Sequence, residues 1–229
     1  MRICFISDTH KHHNCMKFDI PECDLLIHAG DICGSGYSLK SVNQFLYWYD
    51  SLVQAKNKIL VAGNHDRVFE NIPDRVQEVI SKYNNVIYLQ DECVVIDGVK
   101  IYGSPWQPAF CNWAFNLERN GNELFEKWNN IPQDTDILVT HGPPKYILDH
   151  CKYGGDHAGC GILRSQIFDR LNLRIHHFGH IHECYGTKYE QGVLFVNSSI
   201  CTLNYHPNNM PILVYYDEKE TIVLEEGSV

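Results

Sequence analysis

Asp, His and Asn recur in five short polar clusters along this 229-residue chain, each directly behind an apolar run. The clusters are Asp8-Thr9-His10, Gly30-Asp31, Gly63-Asn64-His65-Asp66, Thr140-His141-Gly142 and Gly179-His180-Ile181-His182. Carboxylate, imidazole and amide oxygen together form a donor set for a pair of divalent metal ions. A two-metal centre needs a carboxylate that bridges ions about 3.5–4 Å apart, and Asp31 is the expected bridge. Without thiolate the set points to manganese first, with iron, zinc, nickel or cobalt as alternatives, and away from a structural zinc. Calcium or magnesium alone would want fewer histidines.

Taken singly, each cluster has a plainer explanation. An Asp or His behind a strand is ordinarily a turn or cap residue, and His65-Asp66 alone would serve as a helix cap. Five such clusters in order are not explained that way.

The elements that must position these residues are legible from periodicity. Strands are expected at about 2–7, 24–29, 58–62, 86–89, 93–96, 99–103, 136–140, 174–178, 184–189, 193–197, 211–216 and 221–225. Asp97-Gly98 reads as a tight hairpin turn, and Glu190-Gln191-Gly192 and the 217–219 stretch as further hairpin connections. Val42, Phe45, Leu46, Tyr49, Leu52 and Val53 form an i, i+3, i+4, i+7 stripe. More helices are expected at 74–82, 121–129 and about 161–171. Polar residues behind parallel strands converge on one sheet edge, where open α/β folds place their sites. Gly30, Gly63 and Gly179 each precede a candidate residue and let the backbone approach closely.

Composition narrows the function classes. Hydrophobic residues at 44% are enough for a sizeable core, and no linker, repeat or low-complexity tract interrupts the chain, so residues 1–229 are expected to form one domain. The net charge is −9, and no Lys/Arg cluster offers a grip on a nucleic-acid backbone, so no nucleic-acid polymer is expected as partner. Two bound cations would still attract a small anionic ester. MRICFIS is too short for a signal segment and no apolar run approaches the ~20 residues of a membrane span, so a cytoplasmic protein without membrane contact is expected. The ten cysteines are scattered without a C-x-x-C pair and are read as reduced, structural thiols. Cys33, two residues past Asp31, is the one thiol placed to touch a metal. Asn197-Ser198-Ser199 is read as a chance sequon.

In that order, D-x-H, G-D, G-N-H-D, H and G-H-x-H resemble the calcineurin-like metallophosphoesterase superfamily, over residues 8 to 182. Gly103-Ser104-Pro105-Trp106-Gln107-Pro108, His141-Gly142-Pro143-Pro144 and His182-Glu183-Cys184-Tyr185-Gly186 resemble the narrower MPPED/UPF0046-type phosphodiesterases. Some vertebrate members of that group carry Gly at the first His of G-H-x-H, whereas this chain keeps His180. The resemblance implies an α/β four-layer sandwich, two mixed β-sheets flanked by α-helices. It further implies Asp8, His10, Asp31 and His182 at the first metal, and Asp31, Asn64, His141 and His180 at the second. His65, oriented by Asp66, would then stabilise or protonate the leaving oxygen as a metal-bridging hydroxide attacks phosphorus in line.

The implied activity is hydrolysis of small phosphate diesters, with cyclic nucleotides among them. A nuclease or phosphomonoesterase of the same fold, or a metal-binding scaffold with little catalysis, are the alternatives. Protein phosphatases of the superfamily carry an arginine-bearing segment behind G-D; here Ile32-Cys33-Gly34-Ser35-Gly36 follows Asp31, without arginine. Trp106, Phe110, Trp113 and Phe115 cluster as packing over the sheet edge or as a stacking wall for a nucleobase, with Trp106 and Phe110 as the candidate contacts. His157, in the loop Gly154–Gly159, is a third substrate candidate. His12, His13, His150, His176, His177 and His206 are placed on loops or faces, and His28 in the core or behind the ligands. The oligomeric state is left open.

Overall fold

A computed structural model describes residues 1–152, 156–217 and 221–225. In chain order the first half runs β1 (Arg2–Ile6), β2 (Cys23–Ala29), α1 (Leu39–Ser51), β3 (Ala55–Val61), α2 (Arg67–Asn71), α3 (Pro73–Ile80) and β4 (Val86–Tyr88). A hairpin of β5 (Glu92–Ile96) and β6 (Val99–Ser104) follows, then the short pair β7 (Gln107–Pro108) and β8 (Asn116–Leu117). The second half holds α4 (Asn122–Asn129), β9 (Ile137–Thr140), α5 (Gly161–Asp169), β10 (Ile175–Phe178), β11 (Gly186–Glu190), β12 (Val193–Asn197), β13 (Ile212–Tyr216) and β14 (Thr221–Glu225).

Two six-stranded mixed sheets result, ordered β14-β13-β1-β2-β3-β4 and β11-β12-β10-β9-β6-β5. Side-chain alternation explains why they stack. Ile3, Phe5, Ile59, Val61, Ile137 and Val139 point into one core shared by the two sheets. Their neighbours Cys4, Ile6 and Leu60 pack outward on Val42, Phe45 and Tyr49 of α1 and Val76 and Ile80 of α3. Leu138 and Phe195 pack outward on Leu124 and Trp128 of α4 and Leu163 and Ile167 of α5. Central strands thus bury both faces, which is why they read as unbroken apolar runs rather than alternating ones. The layers are helix, sheet, sheet, helix, as expected.

The expected hairpins at Asp97-Gly98 and Gln191-Gly192 have both central residues at positive φ (49° and 86° in each), the twist-matching geometry of a two-residue turn. The 217–219 connection lies partly outside the described residues. Helix α1 ends earlier than its stripe predicts. Leu52 leaves the helix at ψ 99°, and Val53 is 94% exposed. The chain must reverse there to enter β3, whose start is tied by Cys23 N–H donating to Gln54 O at 2.9 Å. His176 and His177 also depart from expectation: they lie inside β10, fully buried, and His13 is buried as well.

Candidate metal centre

The sheet order brings the five clusters together. β1, β2 and β3 are parallel neighbours in one sheet and β9 and β10 in the other, so Asp8, Asp31, Asn64, His141 and His180 all leave strand ends on one edge. The loops behind them are zipped to each other: Asp8 N–H donates to Gly30 O (2.9 Å), His10 N–H to Asp31 O (3.0 Å) and Gly179 N–H to His141 O (3.0 Å).

Local backbone strain concentrates here. Asp8, His10, Asp31 and His180 all adopt the left-handed region, with φ of 50°, 41°, 60° and 70°. Side-chain-bearing residues avoid that region at a cost of roughly 1 kcal/mol or more each, and such outliers collect at functional sites. Gly63 shows why no side chain fits between them. A Cβ there would fall onto Asp31 Oδ1 and lie 2.7 Å from His141 Cε1.

Five of the seven candidate donors are aimed by a second contact. His10 Nδ1–H donates to Cys33 O (3.0 Å), His141 Nδ1–H to Ala29 O (2.8 Å) and His182 Nδ1–H to Thr202 O (3.1 Å). A carbonyl on Nδ1 fixes the tautomer and leaves Nε2 with a lone pair facing the centre. Asp8 Oδ2 accepts from Ser7 Oγ (2.6 Å), Ser199 Oγ (2.9 Å) and His180 N (3.0 Å), leaving Oδ1 toward the histidines. Asp31 Oδ1 accepts from His65 N at 2.7 Å, leaving Oδ2 free to bridge.

The donor spacings fit metal ions. His10 Nε2 lies 3.2 Å from His182 Nε2, and His182 Nε2 lies 3.3 Å from Asp8 Oδ1. Asp31 Oδ2 sits 3.6 Å from His10 Nε2 and 3.4 Å from His141 Nε2, and Asn64 Oδ1 is 2.8 Å from His141 Nε2. A cation about 2.0–2.2 Å from each donor separates neighbouring donors by about 2.8–3.6 Å, from octahedral to tetrahedral geometry. Two imidazole lone pairs 3.2 Å apart repel each other unless a cation or proton lies between them. The compact donor groups are Asp8/His10/His182, Asp8/Asp31/His141 and His10/Asp31/His65. His180 stands farther out, edge-on to His141 at 5.0 Å between ring centres.

Charge balance carries the same signature. Burial would raise the carboxyl of Asp8, but the His182 hydrogen bond and charge, with His141 and His10, hold it well below the usual range. Burial would lower His141, yet the charge and hydrogen bond of Asp31, with Asp8, bring it up to about 9. Buried anions here demand positive charge, which is what a metal pair supplies.

Several expected contacts are rearranged. Asp66 does not orient the His65 ring. Its Oδ2 accepts from Asp31 N (2.9 Å), Gly63 N (2.9 Å) and Ile32 N (3.3 Å), and its Oδ1 from Cys33 N (2.9 Å). It ties the Gly30–Cys33 and Gly63–Asp66 loops together from beneath, because a carboxylate with no exposed face takes the amides around it. The His65 ring is instead held by Gly34 O on its Nδ1 and by Trp113, stacked at 4.0 Å and 27°. The Arg67 guanidinium lies 4.7 Å from the Trp113 ring and 5.1 Å from that of Tyr37. The Cys33 thiol is pushed far up by burial and Asp66 and joins no donor group; its backbone carbonyl serves His10 instead.

The aromatic cluster does not form one wall. Trp106 donates Nε1–H to Asp91 Oδ2 (2.8 Å) beneath Lys127, and Phe115 is buried in the core. Phe110 lies 5.1 Å from the His180 ring, and Trp113 stacks on His65. His157 is bound to Asp149 Oδ1 at 2.7 Å and packs on Tyr146 and His150; Gly154 and Gly155 of its loop lie outside the described residues. Sequence reasoning missed Tyr205, half-exposed, with its ring 4.8 Å from His10 and 5.3 Å from His182. It lies in a loop behind β12 that carries none of the five motifs, so only its φ of 59° marks it, and that is invisible in sequence.

The family model described as Calcineurin-like phosphoesterase matches residues 1–184, which contain the whole donor set. The chain belongs to this family. Membership in the calcineurin-like phosphoesterases makes it a hydrolase of phosphoesters, and its described residues include candidate metal-ligand groups. It is 40% identical over 233 residues to human Metallophosphoesterase domain-containing protein 1, covering 93% of this chain and 70% of that protein. It is also 34% identical over 228 residues to UPF0046 protein T07D4.2 of Caenorhabditis elegans, covering 86% and 56% respectively. Among solved structures, one chain aligns with a TM-score of 0.71 at 15% identity over 99% of both chains. TT1561 of Thermus thermophilus aligns at 0.60 and 13% identity, over 86% of this chain and 88% of that one. At such identities the solved structures speak for the fold alone. Among the described residues no helix is long and apolar enough to cross a membrane.

Proposed function

We propose that this calcineurin-like phosphoesterase is a phosphodiesterase of small diesters, cyclic nucleotides among them, working with manganese in a cytoplasmic setting. The observation that carries the two-metal reading is Asp31 Oδ2, 3.6 Å from His10 Nε2 and 3.4 Å from His141 Nε2, the position of a bridging ligand. Asp8, His10, Asp31 and His182 would hold one ion; Asp31, Asn64, His141 and His180 would hold the other. When bound, two divalent ions supply Lewis acidity, neutralising phosphate charge and lowering the pKa of water toward about 7.

The rest of the reaction falls to side chains of the chain itself. Ser7, Ser199 and the His180 amide keep Asp8 in one orientation, and the His65 amide does so for Asp31. With Nδ1 engaged by Gly34 O, His65 has only Nε2 to hold a proton for the departing ester oxygen. Trp113 keeps that ring in its plane. The diester preference is supported by Ile32–Gly36, which offers no arginine to grip a phosphomonoester dianion. The five buried thiols, Cys4, Cys23, Cys33, Cys160 and Cys201, suit a reducing compartment.

The test is a screen of phosphomonoesters, aryl diesters and 2′,3′- and 3′,5′-cyclic nucleotides across Mn, Ni, Co, Zn and Mg. Diesters turning over faster than monoesters with manganese is the expected result. Monoester preference would refute the finer reading, and no turnover with any metal would refute catalysis altogether.

A further inference from the structure

Beside the donor set, a cavity of about 290 Å³ opens with His180 in its wall. Phe110, Pro108, Pro143, Ala158 and Ile181 supply apolar lining. The two charged residues that border it, Arg119 and Glu183, are positioned by backbone groups. Arg119 donates to Gly159 O (2.9 Å) and Ala158 O (3.1 Å), and Glu183 accepts from Lys152 N (2.8 Å). What the cavity offers is chiefly apolar surface and one aromatic ring, with Gln107, whose Oε1 is buried without a hydrogen-bond partner among the described residues, also in its wall, and it adjoins the donor set at His180.

We infer that this cavity receives the organic group esterified to phosphate, and that it selects groups of one or two fused aromatic rings. The inference rests on the phosphoesterase reading above and adds the substrate's non-phosphate half. Size sets the upper bound: an apolar cavity of about 150 Å³ accepts benzene, and this one is about twice as large. Chemistry sets the kind of group. An apolar ring recovers surface from water against Pro108, Pro143 and Ile181 and meets the Phe110 ring, an aromatic pairing that favours offset or edge contact. A methyl ester fills too little of the space to gain from it.

The experiment compares phenylphosphonate with methylphosphonate on the manganese-loaded full chain. The two share one phosphonate head and differ only in the group at issue. Binding is measured by calorimetry, without turnover, and as competitive inhibition of an aryl diester. Phenylphosphonate should bind at least tenfold more tightly than methylphosphonate. Phe110→Ala should shrink that ratio several-fold, and Ala158→Phe, which fills the cavity, should abolish it. Methylphosphonate affinity and metal content should stay as in the unmodified protein. Equal affinity for the two phosphonates, or a ratio unchanged by Phe110→Ala, overturns the inference while hydrolysis of aryl diesters leaves the phosphoesterase reading standing. If the unmodified protein hydrolyses no phosphoester, that reading falls, and the inference with it.

Discussion

Gly179→Ala tests how tightly the backbone must pass the first metal position. An added Cβ would fall onto Asp8 Oδ2 and Ser7 Oγ and lie 2.8 Å from Ser7 Cβ. Ordinary contact begins at 3.4 Å, so the mildest of these three overlaps must open by about 0.6 Å, and the other two by more. Nothing here yields cheaply. Ser7 and Asp8 are fully buried, and Asp8 Oδ2 is already held by three donors. Overpacking of this kind costs about 1–3 kcal/mol, which for a chain of this length lowers the melting temperature by roughly 2–12 °C. A displacement near 1 Å at the reacting centre costs about 10²-fold in rate. The expected variant is folded, binds its first metal more weakly, and turns over an aryl phosphodiester about a hundredfold more slowly. Metal content by mass spectrometry, a thermal melt and steady-state kinetics would be read together. Gly192→Ala is the control, because its Cβ would meet nothing within 4 Å although its φ is +86°. It should lose about 1 kcal/mol of stability and keep its metals and rate. Full metal occupancy and a rate within twofold of normal in Gly179→Ala would refute the reasoning.

Acid should unfold this protein sharply. Burial lowers His28 and His176 to about 3 and His13 to about 4, and pushes His177 well down. All four are neutral when folded and take a proton near 6.5 when unfolded, so their stabilisation is complete above pH 6.5 and is lost as pH falls toward 4. Four protons correspond to a slope of about 5 kcal/mol per pH unit, against a total stability of about 5–15 kcal/mol. Circular dichroism should show a cooperative transition between about pH 5 and 4, and native signal at pH 3.5 would contradict it. His65→Ala should keep both metals while depressing turnover; metal loss would make His65 a ligand, as its place in the His10/Asp31 donor group allows. Trp113→Ala should lower kcat about tenfold, with Trp113→Phe restoring most of it. Unchanged kinetics in Trp113→Ala would show that Gly34 O alone holds the His65 ring.

Much of the fold was legible because its signals are local. Central strands buried on both faces appear as apolar runs, and the Asp97-Gly98 and Gln191-Gly192 turns need positive φ that Gly, Asp or Gln after a strand can supply. Helix α1 was recognised but overextended to Val53, since its stripe does not record where the chain must turn into β3. Trp106 and Phe110, four residues apart, looked alike in composition. Only packing assigns one to Asp91 and the other to His180.

By itself the sequence determined which residue types stand at which strand ends, and hence that Asp, His and Asn would gather on one sheet edge. Tertiary structure decided what each of them does there. His10 and His182 are 172 residues apart yet present their Nε2 atoms 3.2 Å from one another. The carbonyls that aim the candidate histidines come from Cys33, Ala29 and Thr202, and a carbonyl is the same in every residue. For that reason the motif could name the donors but not their orientation, and could not show Asp66 beneath the loops or Trp113 against His65. Those roles depend on contacts between distant segments, which exist only once the two sheets have packed.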